Sequence, residues 1–200
     1  MFMLSLMQPS GLYELEQDSL EALSAQLLQM IQMKSYHLYT HSLQVANYAV
    51  SIAAKLGLPY NEIEQIRHAA LLHDIGLLTI PIATLRKYPW LNNQEQSKYR
   101  QHAANGANMI ENYPCCQQIL PYIRYHHEKW DGTGYPKHLR GANIPLGARI
   151  IAVADYYDSI INPSNEGYNK SKKVAIQELF SASGMLFDPD VVKAFIDVIG

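Results

Sequence analysis

The chain has 200 residues, 48% of them hydrophobic and 17% charged, with a formal net charge of -2. That length suits one domain of about 100–200 residues, enough to bury a core without disulfides, and the near-neutral balance supplies no broad basic face for DNA. The two cysteines, Cys115 and Cys116, are adjacent, a poor geometry for a disulfide and an unusual spacing for zinc, which points to a reducing cytoplasm.

Met1–Met7 is apolar but too short to span a bilayer and lacks a signal peptide's basic flank, so no membrane segment is expected. Residues 1–17 read as irregular, and Asp18-Ser19-Leu20-Glu21 as a capping box opening a first helix through Leu20, Leu23, Leu27 and Ile31. A second helix carries Val45, Tyr48, Ala49, Ile52 and Leu56 and stops at Gly57 and Pro59. Asn61-Glu62-Ile63-Glu64 reads as another capping box, for a third helix running through Ile63, Ile66 and Ala70 to His73, with Gly76 near its end. Pro81 to Trp90 is a connection with one helical turn. Asn93 caps a fourth helix whose inner face reads Tyr99, His102, Gly106, Met109 and Tyr113, and Ile119 and Ile123 lead a fifth into His126-His127. Two glycines and a proline make Asp131 to Pro136 a loop. Pro145 restarts a helix through Ile150, Ile151, Ala154 and Ile160, and Asp188-Pro189 caps the last one. Nothing alternates with period two. The pattern predicts a single all-α domain over 18–200, of about seven or eight helices around a buried polar site.

The polar residues fall where they are expensive. His73 and Asp74 sit within Ala69–Leu78, and Asp155 closes the run Ile150–Asp155; a carboxylate in an apolar helix needs a partner or a metal. Alone, Asp155 reads as a buried salt bridge to Arg149 or Arg124, His102 as a hydrogen-bonded core histidine, and His41 as a helix-face residue. Together, His41, His73, Asp74, His102, His126, His127 and Asp155 lie on apolar stretches of different helices, and imidazole with carboxylate suits iron, manganese, zinc or nickel. Seven such groups exceed the needs of one tetrahedral ion and suffice for two ions sharing a carboxylate, with Asp74 the natural bridge. Such a site activates water and stabilises the leaving oxygen of a phosphoester.

These residues resemble the HD-GYP family, a branch of the HD-domain metal-dependent phosphohydrolases. The matching segments are His41-Ser42 with Val45-Ala46, Leu71–Gly76, His102 with Gly106, the run His126–Pro136, Ala148–Asp155, and Phe187-Asp188-Pro189. The resemblance implies a helical phosphodiesterase that hydrolyses the bacterial second messenger cyclic di-GMP to the linear dinucleotide or GMP. It implies an iron or manganese centre held by His41, His73, Asp74, His102, His126, His127 and Asp155, with Asp74 also catalytic. It also implies a signature loop, Asp131, Gly132, Gly134, Tyr135 and Pro136, beside the substrate pocket together with Arg149, and a face for a signalling partner such as a diguanylate cyclase.

The chain departs from that pattern at three places. Leu77 stands where the family carries a phosphate-contacting lysine, a loss that costs about 10²–10³ in rate when such a contact is removed. His37 stands where three-metal members carry a carboxylate, so two ions are expected rather than three, with His37 a spare candidate ligand. Ile161-Asn162-Pro163-Ser164 replaces an arginine-rich element. Lys129 or Arg149 is available to replace the lysine, and Leu77→Lys is expected to raise activity unless Leu77 packs into the core. The leading reading is a cytoplasmic enzyme. The alternatives are a slow or inactive module that senses a cyclic dinucleotide or docks a partner, and a hydrolase of another phosphoester. No receiver or sensory segment precedes the domain in this sequence, so regulation is expected from residues 1–17 or a separate chain.

Overall fold

The computed structural model describes residues 9–163 and 169–200, with side chains from Ser19 onward. Ten α-helical segments are present among the described residues: α1 (Pro9–Lys34), α2 (Tyr36–Lys55), α3 (Tyr60–Leu72), α4 (Ile82–Leu85), α5 (Asn93–Arg100), α6 (His102–Ile110), α7 (Leu120–Tyr125), α8 (Leu146–Ile161), α9 (Lys172–Ala182) and α10 (Pro189–Ile199). Only an isolated bridge between Ser183 and Phe187 interrupts the all-α pattern among them. The helices outnumber the expectation for two reasons. The expected fourth helix is two, α5 and α6, parted at Gln101. Helix α9 buries only Ala175, Leu179 and Ala182, too thin an apolar stripe to read from its sequence.

The N-terminal expectation needs correction. Residues 1–8 lie outside the described residues, but from Pro9 the chain is helical, so residues 9–17 are not irregular and Asp18 lies inside α1 rather than at its cap. Proline is at home at a first helical position, and no glycine or proline interrupts Leu12 to Lys34. Glu21 pairs with Arg67 instead of reaching back. Helix α3 likewise forgoes its expected box: extended Pro59 is the cap, with no side-chain bond, and Glu64 turns to Arg67. Helix α5 is capped one residue earlier than expected, by Asn92 rather than Asn93, in a capping box with Glu95. Asp188 caps α10 as expected, accepting from the Asp190 N–H.

Helix α2 is the centre of the packing, against α1, α3, α8 and α10. Its expected inner face holds: Val45, Ala49 and Ile52 are fully buried, alongside Ile66, Leu72, Ile123, Ile150, Ile151 and Phe195. Each such large side chain contributes about 1.5–3 kcal/mol of burial. The face expected for the fourth helix holds only in part: His102 and Gly106 are buried as expected. Met109 and Tyr113 face solvent, and Ala103, Ala107 and Ile110 are buried instead.

One contact decides where the polar residues go. A 3₁₀ turn over Ile75–Thr79 follows α3 and lies directly on α6. A Cβ on Gly76 would come 2.0 Å from the His102 carbonyl oxygen and 2.7 Å from the Gly106 nitrogen. Only glycine permits that approach, and it brings Asp74, at the start of the turn, against His102. No helix among the described residues is long and apolar enough to cross a membrane.

Candidate metal centre

Three of the site histidines stand at helix ends. His73 and His126 follow the last residues of α3 and α7, and His102 follows the break between α5 and α6. The last carbonyls of a helix have no partner within it. Each of these histidines uses one: Nδ1 lies 2.7 Å from the Ala70 oxygen in His73, 2.6 Å from the Tyr99 oxygen in His102 and 2.7 Å from the Ile123 oxygen in His126. A carbonyl can only accept, so these Nδ1 atoms carry protons and, in the neutral ring, each Nε2 carries a lone pair.

His41 sits mid-helix in α2, where no carbonyl is spare. Its Nδ1 meets the buried carboxylate of Asp158 instead, at 2.7 Å. Four rings are thus fixed by their Nδ1 atoms, with Nε2 turned to a common space.

Those Nε2 atoms are poorly served by protein alone. His73 Nε2 is buried with no hydrogen-bond partner. His102 Nε2 faces His127 Nε2 at 3.1 Å and His126 Nε2 at 3.4 Å. Lone pairs that converge in a dry interior call for a cation, and the donor set fits a transition ion. His41, His73 and Asp155 form one trio of donors within 4.8 Å of one another, and His102, His126 and His127 form another. Asp74 stands between them. Its Oδ1 lies 3.1 Å from His102 Nε2, while Oδ2 lies 3.5 Å from His73 Nε2 and 4.0 Å from His41 Nε2.

The electrostatics follow this division. Burial opposes charge on His41, but Asp155 (3.2 Å away) and Asp158 outweigh it and push the ring up to about 10. His126 and His127 are driven well below the usual histidine range, first by burial and then by neighbouring imidazoles. Burial works to raise Asp74 and Asp155, yet the surrounding histidines hold both low.

All seven expected ligands therefore meet in one place. The salt-bridge alternative for Asp155 is not realised, because Arg149 pairs with Asp188 and Arg124 with Asn108. His37 stands outside both trios, with Nε2 3.2 Å from the Asn162 carbonyl oxygen. Arg149 also lies elsewhere: its Nε donates to the Ile144 oxygen and its guanidinium lies over Trp130. It braces the loop rather than facing the trios. Leu77 is 1% exposed, so it packs inside.

The signature loop closes over the second trio. Tyr135, followed by Pro136, lays its ring against His127 with centroids 4.9 Å apart, and its N–H donates to the His127 oxygen. A Cβ on Gly134 would fall 2.3 Å from the Lys129 nitrogen, so the loop folds back tightly on its own start. Gly132 donates to the Lys129 oxygen, and Asp131 accepts from Thr133 at the exposed outer edge, away from the trios. Buried Glu128 clasps the far side, accepting from the Lys137 and Leu139 N–H groups. Tyr99 rests on His102, and Tyr88 stacks on Tyr99. Sequence reasoning missed Asp158 and Glu128. Asp158 had a signal, a second carboxylate one helical turn after Asp155 in the same apolar helix.

A family model described as HD domain matches residues 25–191. The chain belongs to the HD-domain family. This HD domain is 36% identical to a cyclic di-GMP phosphodiesterase of Pseudomonas aeruginosa over 182 residues, covering 87% of this chain and 42% of that protein. It is 30% identical to a 3′3′-cGAMP-specific phosphodiesterase of Vibrio cholerae over 173 residues, covering 86% of this chain and 33% of that one. The HD domain spans less than half the length of these relatives. Among solved structures it resembles an HDGYP protein from Bdellovibrio bacteriovorus, with a TM-score of 0.69 at 19% identity, over 92% of this chain and 62% of that one.

Proposed function

We propose that this HD domain is a metal-dependent phosphodiesterase for a cyclic dinucleotide, cyclic di-GMP first among them. The observation that carries the reading is the pair of donor trios with a carboxylate oxygen of Asp74 directed toward each. The kinship with phosphodiesterases of two cyclic dinucleotides supports the substrate class.

In this reading His41, His73 and Asp155 hold one ion, His102, His126 and His127 hold the other, and Asp74 serves both. Nitrogen and oxygen donors without thiolate suit iron, manganese, zinc or nickel, and the resemblance to the HD-GYP family points to iron or manganese among them. Two ions there would lower the pKa of water and neutralise charge developing on the phosphoryl oxygens. The chain's own contribution is orientation. The helix-end carbonyls and Asp158 fix four of the five imidazoles before any ion arrives, and Tyr135 and Tyr99 cover His127 and His102 against bulk water. Asp74 is the residue on which catalysis depends. His37, occupied by the Asn162 carbonyl, has no part in a two-ion centre.

The test combines metal analysis with turnover. Protein reconstituted with manganese or iron(II) should hold about two ions per chain and convert cyclic di-GMP to the linear dinucleotide or GMP. Folded protein that stays metal-free would sink the reading. Buried Leu77 favours a second reading, a sensor that binds the dinucleotide or docks a cyclase through the Gly-Tyr-Pro loop. Metal-loaded protein that binds cyclic di-GMP without hydrolysing it would establish that one instead.

A further inference from the structure

The phosphodiesterase reading leaves a question of charge. A cyclic dinucleotide brings two phosphates, each with a negative charge, and the residue expected to meet one of them is Leu77, which is buried and uncharged. Several other cations of the chain are committed. Arg149 is bound to Asp188, Lys87 pairs with Glu95, and Arg124 donates to Asn108. Lys34 donates to the Leu78 and Ile80 carbonyls at the end of the 3₁₀ turn.

Arg100 is different. It ends α5, two residues before His102, and is exposed. Among the described residues no carboxylate pairs with it. Its guanidinium carbon lies 5.6 Å from the centroid of Tyr135, the ring that rests against His127. A cation over a tyrosine face is held there by the ring's quadrupole, while all five N–H donors stay available. A guanidinium fork matches two phosphate oxygens at once.

We propose that Arg100, seated on Tyr135 at the rim of the site, binds the second, non-scissile phosphate of the cyclic dinucleotide. A whole aromatic ring separates the guanidinium from His127, which suits a phosphate carried by the macrocycle beyond the one at the trios. Lys129 is the competing cation. It sits two residues after His127 and near Asp131, whose carboxyl is held low by Thr133 first and by Lys129 in smaller part, so part of its charge is already answered.

The experiment is a binding comparison on metal-loaded protein, using a non-hydrolysable phosphorothioate analogue of cyclic di-GMP. Arg100→Ala should weaken the dissociation constant about tenfold, the low end for a charge-assisted hydrogen bond. Arg100→Lys, which keeps the charge but loses the fork, should fall between. With manganese-loaded enzyme, Arg100→Ala should raise KM for cyclic di-GMP at least five times more than for bis(p-nitrophenyl) phosphate, which has one phosphate. An unchanged dissociation constant, equal losses on both diesters, or a larger loss from Lys129→Ala would overturn the assignment while leaving the phosphodiesterase reading intact. Wild-type protein that binds the analogue but cleaves neither diester would instead remove that reading, and the Arg100 comparison would still decide the contact. Wild-type protein that does not bind the analogue overturns both.

Discussion

His41, His73 and Asp155 on one side of the site and His102, His126 and His127 on the other offer equal numbers of donor atoms in opposite fields. The first trio includes a carboxylate and leans on another, Asp158, so its imidazole His41 is pushed up to about 10. The second contains only imidazoles; burial with mutual repulsion drives His126 and His127 down, while His102, against its burial, is raised by Asp74. The difference comes from the carboxylates around His41, because His73 is anchored on a helix-end carbonyl just as His102 and His126 are. A ring at a helix end takes a neutral carbonyl as its anchor, whereas a ring in mid-helix must recruit a side chain from elsewhere. The first half is therefore the more anionic, and it should bind its ion more tightly by charge alone.

The largest effect on this comparison comes from the residue the halves share. Asp74→Ala should strip most metal from both sides and abolish turnover, as read by metal analysis and cyclic di-GMP hydrolysis. A variant that keeps one full ion would show that Asp74 belongs to one half only. Asp158→Asn probes the carboxylate half by itself. It keeps the shape and a hydrogen bond to His41 but removes the charge, and outer partners of this kind are worth about 10–100-fold in metal affinity. Competition with a chelator should show one of two ions weakened, with the fold unchanged by circular dichroism. Equal weakening of both ions would refute the division into halves.

A smaller effect concerns the position beside the site. Leu77→Lys places an ammonium where the structure leaves 1% exposure. Here the sequence-based expectation of a gain in activity gives way to a loss of stability of roughly 3 kcal/mol, or about 6–12 °C in Tm. A rise in activity with Tm preserved would mean that the lysine reaches the phosphate after all.

The smallest effect uses a buried imidazole outside both halves as a control. His68 lies in α3 between Ser24 and the Arg67–Glu21 pair, and burial, then Arg67, pushes it down to about 4 from 6.5. Between those two values the unfolded chain binds a proton that the folded one does not, so stability falls as pH drops from about 6.5 toward 4. The loss is on the order of 2 kcal/mol, allowing for exposed Glu21 nearby. His68→Asn, studied by thermal melts of chelated protein across that range, should flatten this part of the pH profile. An unchanged slope would assign acid sensitivity to the site histidines alone.

Much of the site was legible because polar residues in apolar helices are costly enough to stand out. His73, Asp74 and Asp155 announced themselves in that way, and the seven expected ligands do converge. Local signals were less secure where two starts competed. Asp18 lost its cap role to a helix already running from Pro9, and Asn61 lost its own to Pro59, whose extended backbone starts α3 without a side-chain bond. Arg149 was misplaced for a different reason: its partners, Asp188 and Trp130, come from distant parts of the chain.

The sequence by itself determined an all-helical chain and the donor types, since helical periodicity and the misfit of polar residues in apolar helices are local signals. Only the tertiary structure decided the sorting of donors into two trios, the burial of Leu77, the seat of Arg100 on Tyr135 and the role of Asp158. His41 and Asp158 are 117 residues apart. No local pattern couples such a pair; it exists because α2 and α8 pack face to face, and that packing is set by apolar surface rather than by either polar group.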